Sequence, residues 1–265
     1  MTALEKRGVD LIHIDPRSLF VIGEPGWSGP DFVLNREVGH FRALYAASAL
    51  EATGATVLNT AAATRVCGDK WHTSAALLSR GLPTPRTALA TTPAAALEAL
   101  EEIGYPAVVK PLIGSWGRLV TRLTDRAGAE AILEHIAALP SPQSHIVYVQ
   151  QLVPKADCDI RVIVVGGAAV GATYRRGAQW RTNVARGAVS EYLPLDDEHA
   201  KLAAAAAEAL GADIAGVDLI EDTDGRLTVL EVNDRVEFRG FQEAHGNRVD
   251  VAGAIAALLL AKAET

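Results

Sequence analysis

Ile214-Ala-Gly-Val-Asp218-Leu-Ile-Glu221, then Asp222-Thr-Asp-Gly225, then Arg226-Leu-Thr-Val-Leu-Glu231-Val-Asn233 is the stretch on which the fold turns. Two runs rich in Val, Ile and Leu flank an Asp-Gly pair, the pattern of a β-hairpin. If Asp224-Gly225 is a two-residue turn, Thr223 faces Arg226 and Asp218 lies directly opposite Glu231. A four-residue turn over 222–225 makes the two acids diagonal neighbours instead. Either register keeps them on one face, and Asn233 follows Glu231 there because strand side chains alternate. A solvated acidic face would carry the same residues, but facing carboxylates repel unless a cation lies between them. Oxygen-only ligands suit Mg²⁺ better than Zn²⁺. Asp218, Glu231 and Asn233 are therefore candidate magnesium ligands.

Outward from the hairpin the chain alternates between the two periods of regular structure. Strand-like runs fall at 9–14, 32–34, 56–58, 107–110, 119–123, 146–150, 160–165 and 168–175, and helix-like runs at about 39–53, 69–80, 93–103, 125–138, 196–210 and 247–263. Asp69 before Lys70, Thr92 before Pro93, and Thr124-Asp125 are helix-start signals. The first 60 or so residues read as a strand–helix–strand unit, and Arg80-Gly-Leu-Pro-Thr-Pro-Arg86 as a stiff linker that ends a helix and starts a strand. Gly166-Gly167 between Val-rich runs reads as a hairpin turn. Helices mixed with antiparallel hairpins give an α+β (mixed α/β) class rather than a doubly wound parallel sheet.

Three further groups carry chemistry. Val108-Val-Lys110-Pro-Leu-Ile-Gly114-Ser115-Trp116-Gly117-Arg118 runs a strand into a lysine and then a small-residue loop, which lets backbone N–H groups approach phosphate oxygens. Neither GxxxxGK[ST] nor GxGxxG occurs, so this is not a Walker or Rossmann solution. Gly68-Asp69-Lys70-Trp71 places a second lysine at a helix start, where anions are favoured. Between Lys155 and Ser190 lie six basic and two acidic residues, a local charge of about +4, including Arg161, Arg175, Arg176, Arg181 and Arg186. Arg161 sits in an otherwise apolar strand, where a surface role is a poor explanation, and guanidinium groups recognise phosphate and carboxylate.

Composition bounds the rest. The chain has 265 residues, 49% hydrophobic but only 5% aromatic, and a net charge of −7. That is enough for one large or two small domains, and the acidity argues against general nucleic-acid binding. Two distant cysteines, Cys67 and Cys158, exclude a disulfide framework or cysteine zinc site. The seven histidines show no metal spacing. The first residues lack a signal-peptide core, and the longest apolar run, 251–261, falls short of the ~20 residues that span a bilayer. A cytoplasmic protein with no membrane contact is expected.

Taken in order, these motifs resemble the ATP-grasp superfamily over about residues 55 to 265. The runs at 68–71, 113–118, 159–162, 174–176, 182–187 and 237–238 are similar to the alpha-aminoadipate–LysW ligase family, and more distantly to RimK-type glutamate ligases. The resemblance implies a shortened pre-ATP-grasp α/β domain over 1–66 and an ATP-grasp domain over 67–265, with a lid at about 86–150 and a C-terminal part at about 151–265. It implies that Lys70 and Lys110 hold ATP phosphates beneath the loop of Gly114, Ser115, Trp116 and Gly117, and that Gln150, Gln151 and Val153 line the adenine pocket. Asp218, Glu231 and Asn233 would bind Mg²⁺, while Arg161, Arg176, Asn183 and Arg186 would surround the γ-phosphate and an acyl phosphate.

The activity implied is ATP-dependent ligation of an amino acid, through its α-amino group, to the C-terminal glutamate side chain of a small acidic LysW-like carrier protein. A glutamate ligase acting on a ribosomal protein or small cofactor, and a non-catalytic nucleotide sensor, are the competing readings. Two departures from the family pattern stand out. The chain begins within the family's first helix, which implies an upstream start or a homo-oligomer that supports a shortened N-terminal domain. After Asn233 the family reads His-Thr or Tyr-Thr, whereas this chain reads Asp234-Arg235-Val236-Glu237-Phe238. Asp234, Arg235, Glu237 and Phe238 lie near the family's amino-acid pocket, so a substrate other than plain α-aminoadipate is expected.

Overall fold

The structure is a computed structural model that describes residues 2–24, 29–114, 118–155, 158–177 and 188–264. A short helix α1 (Thr2–Glu5) precedes β1 (Phe32–Leu34), α2 (His40–Glu51) and β2 (Thr56–Leu58), with β1 and β2 paired in parallel. Helices α3 (Ala61–Gly68) and α4 (Lys70–Ser79) follow. They are separated by Asp69, whose extended backbone ends one helix while its carboxylate caps the next by accepting from Trp71 N and His72 N.

The lid unit comprises β3 (Thr87–Ala90), α5 (Pro93–Ile103), β4 (Ala107–Lys110), β5 (Thr121–Leu123), α6 (Arg126–Ala137) and β6 (Val147–Gln151). Its antiparallel sheet has the order β3-β6-β4-β5. Thr92 with Pro93 starts α5, and Asp125 starts α6 through Gly128 N, as the start signals predict. Val109, Val147, Val149 and Leu123 pack on Leu100 and Leu133 of these helices. Period-two alternation then leaves Val108, Lys110, Tyr148 and Gln150 on the opposite face.

The large sheet holds β7 (Cys158–Val165), β8 (Ala168–Arg176), β9 (Val189–Leu193), β10 (Ile214–Glu221) and β11 (Leu227–Asn233) in the order β11-β10-β7-β8-β9. Helix α7 (Asp197–Ala209) covers one face, where fully buried Ala203, Ala206 and Ala207 let it sit close on Val162, Val164, Val217 and Leu219. Helices α8 (Arg239–His245) and α9 (Val251–Ala263) cover the other, with Phe241, Val251, Ile255 and Leu259 against Ile163, Val165 and Ile214. Among the described residues no helix is long and apolar enough to cross a membrane.

One expected element is absent. Residues 9–14 form no strand, and Ile12 is 87% exposed. The composition suits a strand, but among the described residues no strand pairs with this segment, and without a ladder its backbone groups lack the bonds a strand would make. Helices α3 and α8 and strand β9 were not expected. Each has only 5 to 8 residues, too few to establish a period.

Candidate active site

The β10–β11 and β7–β8 hairpins of the large sheet each contain one bulge, and each bulge decides which side chains reach the site. In β10–β11 the loop is neither of the two expected. Asp222 N donates to Arg226 O and Gly225 has φ +79°, a three-residue connection with glycine in the left-handed region. Pairing therefore starts one step off, at Glu221↔Leu227, until Leu230 bulges out of β11 and restores Asp218↔Glu231 and Gly216↔Asn233. Asp218, Glu231 and Asn233 thus share a face at directly opposed positions.

The β7–β8 hairpin turns at Gly166-Gly167, and from there a regular ladder would put Arg176 on the face of Arg161. Pairing shifts between Ile163 and Val164, so Val170 becomes the extra residue on β8 and Arg161 pairs with Thr173. A one-residue slip exchanges the two faces of a strand. Arg175, with Asp159 opposite it, therefore joins the site face, while Arg176 lies on the other side. Arg176 is half-exposed, donates to Glu191 at 2.8 Å and lies over the Tyr174 ring at 4.9 Å.

Arg161 and Arg175 converge on Asp218. Arg161 sits beside it on β7 and donates from Nε to Oδ1 and from Nη2 to Oδ2, the latter at 2.9 Å. Arg175 reaches the same Oδ2 at 3.0 Å through Nη2 and gives Nε to Asp159 Oδ1 at 2.6 Å. Burial pushes the Asp218 carboxyl upward in pKa, but the two guanidinium charges outweigh it, so the group lies below its usual value and is ionised. Asn233 Nδ2 stands 3.4 Å from both Asp218 Oδ2 and Gly216 O. Glycine at 216 is a packing requirement: a Cβ there would meet Val236 Cγ2 at 2.5 Å and Arg161 Nη1 at 3.0 Å. The sequence places Arg175 in the basic stretch but gives the phosphate role to Arg176 and none to Asp159, and only the bulge at Val170 distinguishes the two arginines.

The lid supplies the other wall. Lys110, Tyr148, Lys70, Thr73, Cys67, Leu230 and Glu231 line one cleft between the lid sheet, α3, α4 and β11. Lys110 Nζ donates to Gln150 Oε1 at 2.6 Å, and burial lowers its pKa to about 8 despite the nearby Glu231 charge. Lys70 Nζ donates to Gly114 O at 2.8 Å. Gln150 is buried, Gln151 exposed and Val153 half-buried. Ser115, Trp116, Gly117, Asn183 and Arg186 lie outside the described residues.

Beyond β11 the chain is tied to the N-terminal unit. Asp234 is 5% exposed and accepts from Thr64 Oγ1 at 2.9 Å and Arg235 Nη1 at 2.6 Å, and burial raises its pKa. Its backbone carbonyl accepts from Asn59 Nδ2, and Arg36 donates to Val236 O while lying 5.7 Å from the centre of the Phe238 ring. Glu237 accepts from Arg239 N at 2.8 Å at the start of α8.

Comparison with known proteins fits this two-walled cleft. Residues 67–259 match the RimK-like ATP-grasp domain, and residues 1–66 match the LysX preATP-grasp domain. The glutamate–LysW ligase ArgX of Sulfolobus acidocaldarius is 33% identical over 224 residues, 84% of this chain and 79% of its own length. The alpha-aminoadipate–LysW ligase LysX of the same organism is 34% identical over 210 residues, covering 79% and 76%. A RimK domain ATP-grasp protein from Sphaerobacter thermophilus superposes with TM-score 0.80 at 29% identity, covering 98% of this chain and 93% of its own. The paired carboxylates of the large sheet, the lysines of α4 and β4 across from them and this breadth of similarity together make the chain a member of the RimK-like ATP-grasp ligase family.

Proposed function

We propose that this enzyme joins the α-amino group of an amino acid to the C-terminal glutamate side-chain carboxylate of a small acidic LysW-like carrier protein, consuming ATP through an acyl phosphate. The observation that carries the reading is the single cleft in which Glu231 from the large sheet meets Lys70 and Lys110 from α4 and the lid. A polyanionic nucleotide needs cations on one side, and its metal needs carboxylates on the other. The similarity to two LysW ligases supports the choice of carrier.

The donor set fits Mg²⁺. Asp218, Glu231 and Asn233 offer hard oxygen donors at opposed positions on one face; Asp218 Oδ2 accepts from two guanidinium groups, while Oδ1 accepts from Arg161 and keeps a lone pair for a cation. These three residues would hold the ion, which when bound neutralises phosphate charge and orients the transferring group. Lys70 and Lys110 would bind the phosphates, and Arg161 would face the developing charge of phosphoryl transfer. Arg175 would act behind Arg161 by fixing Asp218. Arg176 faces away from this cleft and pairs with Glu191, so the γ-phosphate role falls to Arg161 and, by the family resemblance alone, to Asn183 and Arg186. The local positive charge of this stretch also suits an acidic carrier.

The test is incubation with ATP, Mg²⁺, a carrier ending in glutamate and a pool of amino acids, read by intact mass. The expected product is the carrier plus one amino acid minus water. ATP binding with no adduct from any amino acid would overturn the proposal.

Two further outcomes follow from the same site. Lys110 carries its charge below about pH 8 and loses it above. The kcat/KM for ATP, which reports the free enzyme, should therefore hold below that pH and fall as the lysine deprotonates. A flat profile to pH 9.5 would separate Lys110 from phosphate binding. The second outcome concerns the amino acid. Asp234 is bonded to Thr64 and Arg235, so Asp234 and Arg235 form one packed ion pair, which would shape the amino-acid pocket that the family resemblance places here. The double variant Asp234→His/Arg235→Thr should raise α-aminoadipate turnover relative to wild type, and equal turnover would count against a distinct substrate.

A further inference from the structure

We propose that Gln150 is a positioning residue for Lys110, acting through a directional hydrogen-bond chain anchored on α4, and that its side chain does not read the adenine ring. The chain runs from Lys110 Nζ to Gln150 Oε1 at 2.6 Å, from Gln150 Nε2 to the Tyr148 hydroxyl at 2.8 Å, and from that hydroxyl to Ser74 Oγ at 2.8 Å. Its direction is dictated by chemistry. An ammonium group only donates, so the amide must turn its oxygen to Lys110 and its nitrogen to Tyr148. The Tyr148 oxygen accepts that N–H, and its hydroxyl shares a further hydrogen bond with Ser74 in which either oxygen can donate. Tyr148, Gln150 and Ser74 are each 1–2% exposed, so a missing link would not be replaced by solvent.

Each end of the Gln150 amide makes a hydrogen bond to one of the protein's own groups. The anchor is also the helix that presents the other lysine. Lys70 lies one turn before Ser74 on α4, on the same side. Its N–H donates to Leu112 O at 3.0 Å and its Nζ to Gly114 O at 2.8 Å, both just beyond β4. The two lysines are therefore spaced by one helical turn and one chain of buried polar groups. A nucleotide's phosphates gain from that spacing whatever its base.

The proposal rests on the nucleotide site proposed above, and binding measurements separate the two. Dissociation constants for Mg-ATP, Mg-ITP and adenosine are measured by calorimetry on wild type, Gln150→Met and Tyr148→Phe. Thermal unfolding verifies that each variant is folded. Gln150→Met keeps the length and loses both polar ends, and should weaken ATP and ITP by the same factor of about ten while adenosine is unchanged. Tyr148→Phe keeps the ring, breaks the chain one link away, and should move ATP and ITP together by a smaller factor. If Gln150→Met instead erases the preference for ATP over ITP, the amide reads the base and the proposal fails. Unchanged ATP affinity in both variants also overturns it, and if Gln150→Met does not fold, Tyr148→Phe alone decides. A wild-type protein that binds no ATP would overturn the functional proposal itself, before any variant is compared.

Discussion

Replacing Glu231 by Gln is expected to lower kcat by about 10²–10³-fold, the scale seen when one preorganised electrostatic contact to the reacting group is lost. The substitution keeps size and hydrogen-bonding capacity and removes one negative charge from the position directly opposite Asp218. Glu231 is half-buried on the rim of the cleft, so the melting temperature should stay within a few degrees of wild type. The Mg²⁺ concentration for half-maximal activity should rise as well, because a neutral amide is a weaker ligand for a hard cation than a carboxylate. Steady-state turnover against Mg²⁺, with unfolding curves alongside, checks both points. Wild-type activity in a folded Glu231→Gln protein would remove Glu231 from the metal assignment.

The carboxylate pair and the lysines were legible in the sequence for different reasons. Asp218 and Glu231 were fixed to one face by parity alone, which survives any even change of register, and the two turns considered differ by an even step. The actual loop is the odd case between them, and the register was rescued only by the bulge at Leu230. The β7–β8 hairpin had no such luck: its bulge at Val170 exchanged the faces and hid Arg175 behind Arg176. Bulges leave no mark in hydrophobic alternation when both faces of a sheet are covered by helices, as here, because both faces are then apolar. Lys110 was legible from its position at a strand end before a glycine loop. Its partner Gln150 was named for a different task, since cross-strand neighbours forty residues apart are set by sheet order. The tie from Asp234 to Thr64 is likewise a tertiary contact between segments that no local pattern connects.

Arg175→Met should destabilise the protein by about 3–5 kcal/mol, because it removes a guanidinium shared by two buried carboxylates, although Asp218 keeps Arg161. Asp159 and Asp218 are 5% and 2% exposed, and Arg175 bridges them at 2.6 and 3.0 Å. At this chain length that corresponds to a fall of roughly 6–20 °C in melting temperature. The adjacent Arg176→Met is the internal control. Its ion pair with Glu191 is half-exposed on both sides, so it should cost less than about 1 kcal/mol. Two consecutive arginines would then differ several-fold in structural weight, which is the consequence of the Val170 bulge. If the two variants melt together, the buried network does not carry the stability assigned to it. The pH dependence has a definite sign. Asp218 has a depressed pKa in the folded state, so the stability it contributes is present at neutral pH and is lost as pH falls below about 4. In Arg175→Met the two carboxylates lack that countercharge, and their protonation relieves the strain. The gap between variant and wild type should therefore narrow on acidification and be widest at neutral pH. Well-packed apolar residues in place of a buried ion-pair network are often as stable or more so, so stability alone is a weak reason for two guanidinium groups on one buried aspartate. The proposed metal site gives the arrangement a purpose: an ionised Asp218, fixed beside Asn233 and opposite Glu231, where a bound divalent cation would take over part of the charge that the arginines balance.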